Sequence, residues 1–327
     1  MTTVQTDVLL QTPSLLNALL NISMARNWFY PSIAVMHLHA HLTQALLPGS
    51  NVTYTQLPGI GESDIKDLPE VMDGLGDFAR SLEDKGDARA QDVGKAVNRW
   101  GRLDVFDFSF KGKVQVFCVC RVLISFGNHR ILVIGERIVT PSALVFLVVK
   151  LRLSPPTPHS NANGTSGEDG VIPESVNSQA NAKKDDEFLN SPLDVEEMSP
   201  SNGSGWAHAP YWPGVCLCTD RAQHSLLTCA LEQYRRPGWW IVLADAKTNR
   251  IVVPPIKVTD VPFTDPSRER NFRSYKLKFQ APPSVGLFTW RIHFVSDTFV
   301  GEDVVKDVSV SRCHPSAPRQ SIECALL

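Results

Sequence analysis

Two apolar rhythms divide this chain. Up to about residue 101 apolar residues recur at helical spacing, and from residue 102 they alternate as they do on strands. TPSLLNALLNISMARNW sets Leu15, Leu16, Leu19, Leu20, Met24 and Trp28 along one stripe, with Thr12 as cap and Pro13 at the first helical position. YPSIAVMHLHAHLTQALLPG repeats the pattern, opening at Pro31 and stopping at Pro48-Gly49. QLPGIGESDIKDLPEV then reads as a helix-hairpin element: a glycine turn, a cap at Ser63 or Asp64, and a short amphipathic helix. Hairpins of this kind can hold a nucleic-acid backbone on glycine amides. Here Glu62, Asp64, Asp67 and Glu70 would repel phosphate, so a structural role is expected. A further helix is expected over 73–100.

In the second half, LDVFDFSFK alternates strictly, and VIGERIVTPSALVFLVVKLRLSPP supplies two strands parted near Thr140-Pro141. On the latter strand Val145, Leu147, Val149, Leu151 and Leu153 share one face; Phe146, Val148, Lys150 and Arg152 share the other. One face is therefore expected in a core, the other outside it. Strands resume at RRPGWWIVLADAKTNRIVVPP and continue through SYKLKFQ, LFTWRIHFVS and 303–310. About seven short strands with Pro-Gly punctuation predict an immunoglobulin-like or fibronectin type III-like β-sandwich. The adjacent Trp239 and Trp240 must point to opposite faces, so one ring is expected between the sheets and the other on the outer face, where it covers a neighbouring element, the commoner case, or meets a partner. In ADAKTNR, Asn249 suits a left-handed turn position.

The predicted class is α+β. A helical domain (1–101) precedes the first sandwich strands (102–154), a linker (155–205), the rest of the sandwich (206–310) and a disordered tail (311–327). The linker is rich in Pro, Ser, Asn and Gly, carries the acidic KKDDEFLNSPLDVEE, and is expected to be disordered. Its Ser191-Pro192 and Ser199-Pro200 pairs have the form of kinase targets, as pairs in any such tract do.

Composition narrows the function. A net charge of −2, with 32 Lys+Arg against 34 Asp+Glu, gives no sign of a polyanion partner. No stretch reaches the roughly 18 apolar residues of a membrane span, and the amino terminus lacks a signal-peptide pattern. The chain alone is therefore expected to be soluble in the cytosol. None of the seven cysteines is spaced CxxC. In HLHAH, His37 and His41 share a helix face without a third ligand or an intervening Glu. Asp245, Asp260 and Asp297 have no histidine at catalytic spacing, and no phosphate-binding glycine loop is present. No catalytic residue, cofactor or metal is expected, and the chain reads as a non-enzyme.

VIGERIVTPSALVFLVVKLRLSPP, RRPGWWIVLADAKTNRIVVPPIKVTDVPF and SYKLKFQAPPSVGLFTWRIHFVSDTFVGED together resemble the cytosolic region of the Sec sixty-three family in its fungal form. LLQTPSLLNALLNISMARNW, AVMHLHAHLTQAL and LPGIGESDIKDLPEV are similar to the same family's helical, Brl-type segment. That family is the J-domain subunit of the protein-translocation machinery of the endoplasmic reticulum. The resemblance implies a helical unit plus a fibronectin type III-like sandwich that docks on the cytosolic loops of the protein-conducting channel and supports post-translational import. It also implies a place on the cytosolic face of that membrane, as part of an intact family protein.

The departures are specific. No His-Pro-Asp tripeptide occurs, so the family's partner, the lumenal chaperone ATPase, would be reached only through a J domain this sequence lacks. Membrane attachment would likewise need segments not in this sequence. Segments 112–132 and 215–233 fit nothing in the family; deleting either leaves a smooth join. Those segments and the tail hold every cysteine, and Val-Cys and Gly-Lys pairs can be encoded as intron starts, so both segments read as translated introns.

Loops on a rigid sandwich are the natural contact surface. The expected partner-binding residues are Gly135, Glu136 and Arg137; Val261, Pro262 and Phe263; and Asp297, Thr298 and Phe299, with Phe263 and Phe299 as apolar anchors. The alternative is the related helical-plus-sandwich unit of Brr-type spliceosomal RNA helicases. That reading requires basic stripes or stacking aromatics, and the charge balance offers no such excess.

Overall fold

The computed structural model describes residues 3–49, 51–66, 74–112, 117–126, 129–137, 144–156, 179–197, 237–265, 270–281 and 287–311. Helices come first: α1 (Thr3–Ala25), α2 (Phe29–Gln44), a 3-10 turn (Val52–Gln56), α3 (Glu62–Ile65), α4 (Leu75–Asp84) and α5 (Ala90–Asn98). Strands β1 (Arg102–Gly112), β2 (Phe117–Phe126), β3 (His129–Arg137) and β4 (Leu144–Ser154) follow. Then come α6 (Gln179–Asn190) and strands β5 (Trp239–Asp245), β6 (Arg250–Val258), β7 (Arg273–Gln280), β8 (Leu287–Ser296) and β9 (Val304–Ser311). The class is α+β, helices then sheets.

Two antiparallel sheets face each other. One has three strands in the order β1-β4-β7; the other has six in the order β3-β2-β9-β8-β5-β6. The alternation read from the sequence places β4 as expected: Val145, Leu147, Val149, Leu151 and Leu153 are all at most 1% exposed. They pack against Trp239, Ile241 and Leu243 of β5 and Trp290, Ile292 and Phe294 of β8 in one contiguous core. That core runs on without a break into the helices, taking in Tyr54, Leu57, Phe78, Val93 and Trp100.

A second core lies on the opposite face of the six-stranded sheet. Leu20, Phe29 and Met36 of the α1–α2 hairpin cover Trp240, Val242 and Ala244. β5 is thus buried on both faces, which accounts for the unbroken apolar run WWIVLA. Trp239 points between the sheets, and Trp240 points under α2, its ring 5.2 Å from that of His39. Each large apolar side chain so buried contributes about 1.5–3 kcal/mol. The β5–β6 turn also fastens the helices. Asn249 is left-handed (φ 53). Its carbonyl accepts from the Phe29 N–H and its Oδ1 from the Tyr30 N–H, while the Ile251 N–H donates to Asn27.

The structure corrects three expectations. α1 begins at Thr3, so Pro13 lies inside the helix and Thr12 is not its cap. The single helix expected over 73–100 is two, parted at Gly86 (φ +68). The linker is not disordered throughout: α6 and residues 191–197 are laid against the three-stranded sheet, because their acidic groups meet Lys150 and Arg270. Within 112–132, β2 pairs with β3 and, over Leu123–Ser125, with β9. Segment 215–233 and the tail from 312 lie outside the described residues, as does Ser199-Pro200.

Candidate interaction site

The turn joining β8 to β9, residues 297–303, which includes the anticipated Asp297, Thr298 and Phe299, is bonded both to the helices and to the sandwich. It opens with Ser296, whose Oγ accepts from the N–H groups of Thr298 (3.1 Å) and Phe299 (2.8 Å), bending the chain inward. Phe299 is thereby driven into the core, 1% exposed, with ring centroids 4.9 Å from Trp100 and 6.4 Å from Trp239. The Asp297 carboxylate, equally buried, accepts from the Gly238 N–H (2.7 Å) and the Thr298 hydroxyl (2.6 Å), and pairs with Lys257 Nζ (2.6 Å). A Cβ on Gly238 would meet Asp297 Oδ2 and Lys257 Cε, each at 2.7 Å, so only glycine permits this approach.

The helices bind the same turn through its backbone. Thr43 and Gln44 at the end of α2 donate to the carbonyls of Asp297 (3.2 Å) and Thr298 (2.5 Å). Gln56 makes a reciprocal pair with Val300, its Nε2 donating to the carbonyl and its Oε1 accepting from the N–H, each at 2.9 Å. Asp303 pairs with His37 of α2 (2.6 Å), a contact that raises the imidazole pKa. Glu302 accepts from the Trp100 indole (2.8 Å), and burial pushes its carboxyl up to about 7. Beside it opens a cleft of about 560 Å³ lined by Thr53, Tyr54, Leu75, Arg102, Gly301 and Glu302, among others.

At Gly301 the backbone is left-handed (φ +84), and a Cβ would stand 2.4 Å from Thr53 Oγ1. Gly301→Ala is expected to cost about 1–2 kcal/mol from the backbone conformation alone, plus the Thr53 clash. In a Thr53→Ala background only the conformational part should remain. A double-mutant cycle by denaturant unfolding separates the two, and an absent coupling would contradict the contact.

The sequence-predicted residues divide sharply. Val261, Phe263, Asp297, Thr298 and Phe299 are buried, between 0 and 7% exposed. They are corrected from exposed contacts to internal ones. Phe263 is held there because Leu153 at the end of β4 bonds on both sides of it, donating to the Pro262 carbonyl and accepting from the Thr264 N–H, each at 2.7 Å. Pro262 is half-buried. Gly135, Glu136 and Arg137 end β3, the outermost strand on the other side of the six-stranded sheet from β6. The sequence missed the helix groups that close on 297–303. Thr43, Gln44 and Gln56 are polar residues near helix ends, a position that signals nothing by itself.

Other candidates resolve into packing. The three histidines of HLHAH point to different surroundings: His37 to Asp303, His39 to Trp240, and His41 to the Leu46 carbonyl. Among the described residues no group of three or more His, Cys, Asp or Glu could hold a metal ion. In the LPGIG turn, Arg89 donates to the Gly59 carbonyl (2.9 Å) and pairs with Asp64 and Asp87. Among the described residues no helix is long and apolar enough to cross a membrane.

No protein-family model matches the chain. Against characterised proteins, one similarity covers nearly all of it. The chain resembles translocation protein sec63 of Schizosaccharomyces pombe. The two are 24% identical over 308 residues, 93% of this chain and 42% of that protein. This chain therefore spans less than half the length of its relative. The match supports kinship with the Sec sixty-three family, in agreement with the stretches quoted from the sequence.

Proposed function

We propose that this chain is the cytosolic interaction region of an endoplasmic reticulum protein-translocation subunit, docking without catalysis on the protein-conducting channel during post-translational import. The observation that carries this reading is the similarity to translocation protein sec63 along 93% of the chain. The architecture agrees with a docking role: helices and sandwich share one core, so a contact made on one is borne rigidly by the other. In this reading Gly135, Glu136, Arg137 and Pro262 remain contact candidates. Val261, Phe263, Asp297, Thr298 and Phe299 act from inside, fixing the loops that meet the channel. The RNA-helicase alternative is not favoured, since the similarity is to a translocation protein.

A chimera tests the proposal. This chain replaces the matching stretch of the fission yeast protein in cells lacking the native copy. The expected result is that the chimera co-purifies with the channel and restores import of a post-translationally targeted precursor. A chimera present at normal abundance in the membrane that fails to co-purify with the channel would overturn it.

A further inference from the structure

α6 lies on the outer face of the three-stranded sheet, whose other face is closed by the main core, and residues 194–196 lie along the edge of that sheet. After α6 the chain turns and runs antiparallel beside β7, with Val195 opposite Tyr275. The Glu196 N–H donates to the Ser274 carbonyl (3.0 Å), and the Lys276 N–H to that of Asp194 (2.7 Å). This is edge addition to β7, the last strand of its sheet. The side chains match by charge. Asp185 takes Lys150 (2.6 Å) and Arg270 (2.7 Å), and Glu196 takes Arg270 (2.7 Å) and the Ser274 N–H (3.0 Å). Lys276, 2% exposed, donates to the carbonyls of Phe188 (3.1 Å) and Ser191 (2.9 Å), with the Phe188 ring 4.8 Å away.

Only Val195 of this segment packs against the main core; neither Phe188 nor any other residue of α6 belongs to either core. Strand-edge hydrogen bonds, ion pairs and that one apolar contact hold it, and a second chain of the same chemistry can supply all three. The connection from β4 to β5 runs from Ser154 to Trp239.

We propose that the edge of β7, flanked by Lys150, Arg270 and Lys276, is a binding site for acidic helix-then-strand segments of other proteins, and that residues 179–197 are its intramolecular occupant. The ligand is read from that occupant: an acidic residue one helical turn before an aromatic (Asp185, Phe188), then a short acidic strand (Asp194, Glu196). Backbone pairing with β7 supplies affinity; the carboxylates facing Lys150 and Arg270 supply selectivity. The proposal is independent of the translocation reading, because it rests on this sheet alone.

The test uses the full chain with residues 179–197 deleted and a labelled synthetic peptide of those residues. The deletion variant, shown by thermal melting to unfold cooperatively, is expected to bind the peptide at least about tenfold more tightly than the intact chain, whose site is filled. Binding should weaken with salt and fall about tenfold more with a peptide carrying Asp185→Ala and Glu196→Ala. A folded deletion variant that ignores the peptide would overturn the proposal, as would equal binding by the intact chain. Should the deletion variant not fold, protease sites placed in 157–178 and 198–236 of the intact chain release the segment by cleavage instead. Dissociation of the fragment at about 0.5 M salt with the sandwich still folded is expected; a fragment that leaves only when the sandwich unfolds would overturn the proposal. Tighter competition by a single-stranded oligonucleotide than by unlabelled peptide would also overturn it.

Discussion

Phe299→Ala is expected to lower the unfolding free energy by about 3–5 kcal/mol, the range for removing a buried aromatic ring. The ring is 1% exposed and lies against Trp100 from the helices and Trp239 from the sandwich. Its loss leaves a cavity where the two parts of the molecule join, and the backbone around it is too firmly held to collapse. Ser296 Oγ pins the Phe299 N–H, and Gln56 pins Val300 from both sides. Tryptophan emission should therefore shift red even before unfolding, since both neighbouring indoles gain access to water. Denaturant titration monitored by fluorescence and by circular dichroism checks this. A variant with unchanged midpoint and weaker partner binding would instead mean that Phe299 faces outward as a docking anchor. Phe299→Leu, which keeps most of the apolar volume, should recover more than half of the loss.

That prediction reverses the role the sequence suggests for the residue, and the reason is physical. SDTFVGED is polar around one aromatic, which is how an exposed apolar anchor looks and also how a turn plugged into a core looks. Alternation decides the facing of a strand residue, because neighbouring strands enforce period two. No such period operates in a turn, so the facing of Phe299 depends on Ser296, Gln56 and Trp100, the last two some 200 or more residues away in sequence. The strands themselves were legible: β4 and the Trp239–Trp240 pair lie as the pattern requires, and the second core explains why both tryptophans are large.

The acidic segment 179–197 was misread for a related reason. Composition alone says that such a stretch buries too little to fold, which is true of it in isolation. It is ordered here by charges carried on β4 and β7, and by the edge of a strand that begins at Arg273. The sequence did hold half of that signal. Lys150 and Arg152 interrupt the outer face of an otherwise aliphatic strand, and cations on a sheet face need partners when something covers them.

Stability is expected to fall as pH rises from 5 to 8, and Glu302→Gln to remove most of that fall. The Glu302 carboxyl is pushed from 4.5 to about 7, first by burial, while the Trp100 indole and Arg102 oppose the shift. A carboxyl whose pKa is raised on folding costs nothing below the unfolded value. Between 4.5 and about 7 the unfolded chain gives up this proton first, so the folded state loses ground, and the cost is complete above about 7. Full linkage sets the cost at no more than about 3 kcal/mol, reduced by water reaching Glu302 from the cleft. His37 acts in the same direction. Its raised pKa stabilises the fold below 6.5, and that contribution is lost as pH rises through the folded value. The His37–Asp303 pair is exposed enough that its share is small. Glutamine keeps an oxygen to accept from the Trp100 indole but has no charge to desolvate. The variant should therefore be more stable than the parent at pH 8 by about 2–3 kcal/mol and indistinguishable from it near pH 4, below the unfolded value. Guanidinium unfolding at both values, with His37→Gln as the companion, assigns the slope. An unaltered slope in Glu302→Gln would place the titrating group elsewhere. An abolished slope in His37→Gln would transfer it to the imidazole.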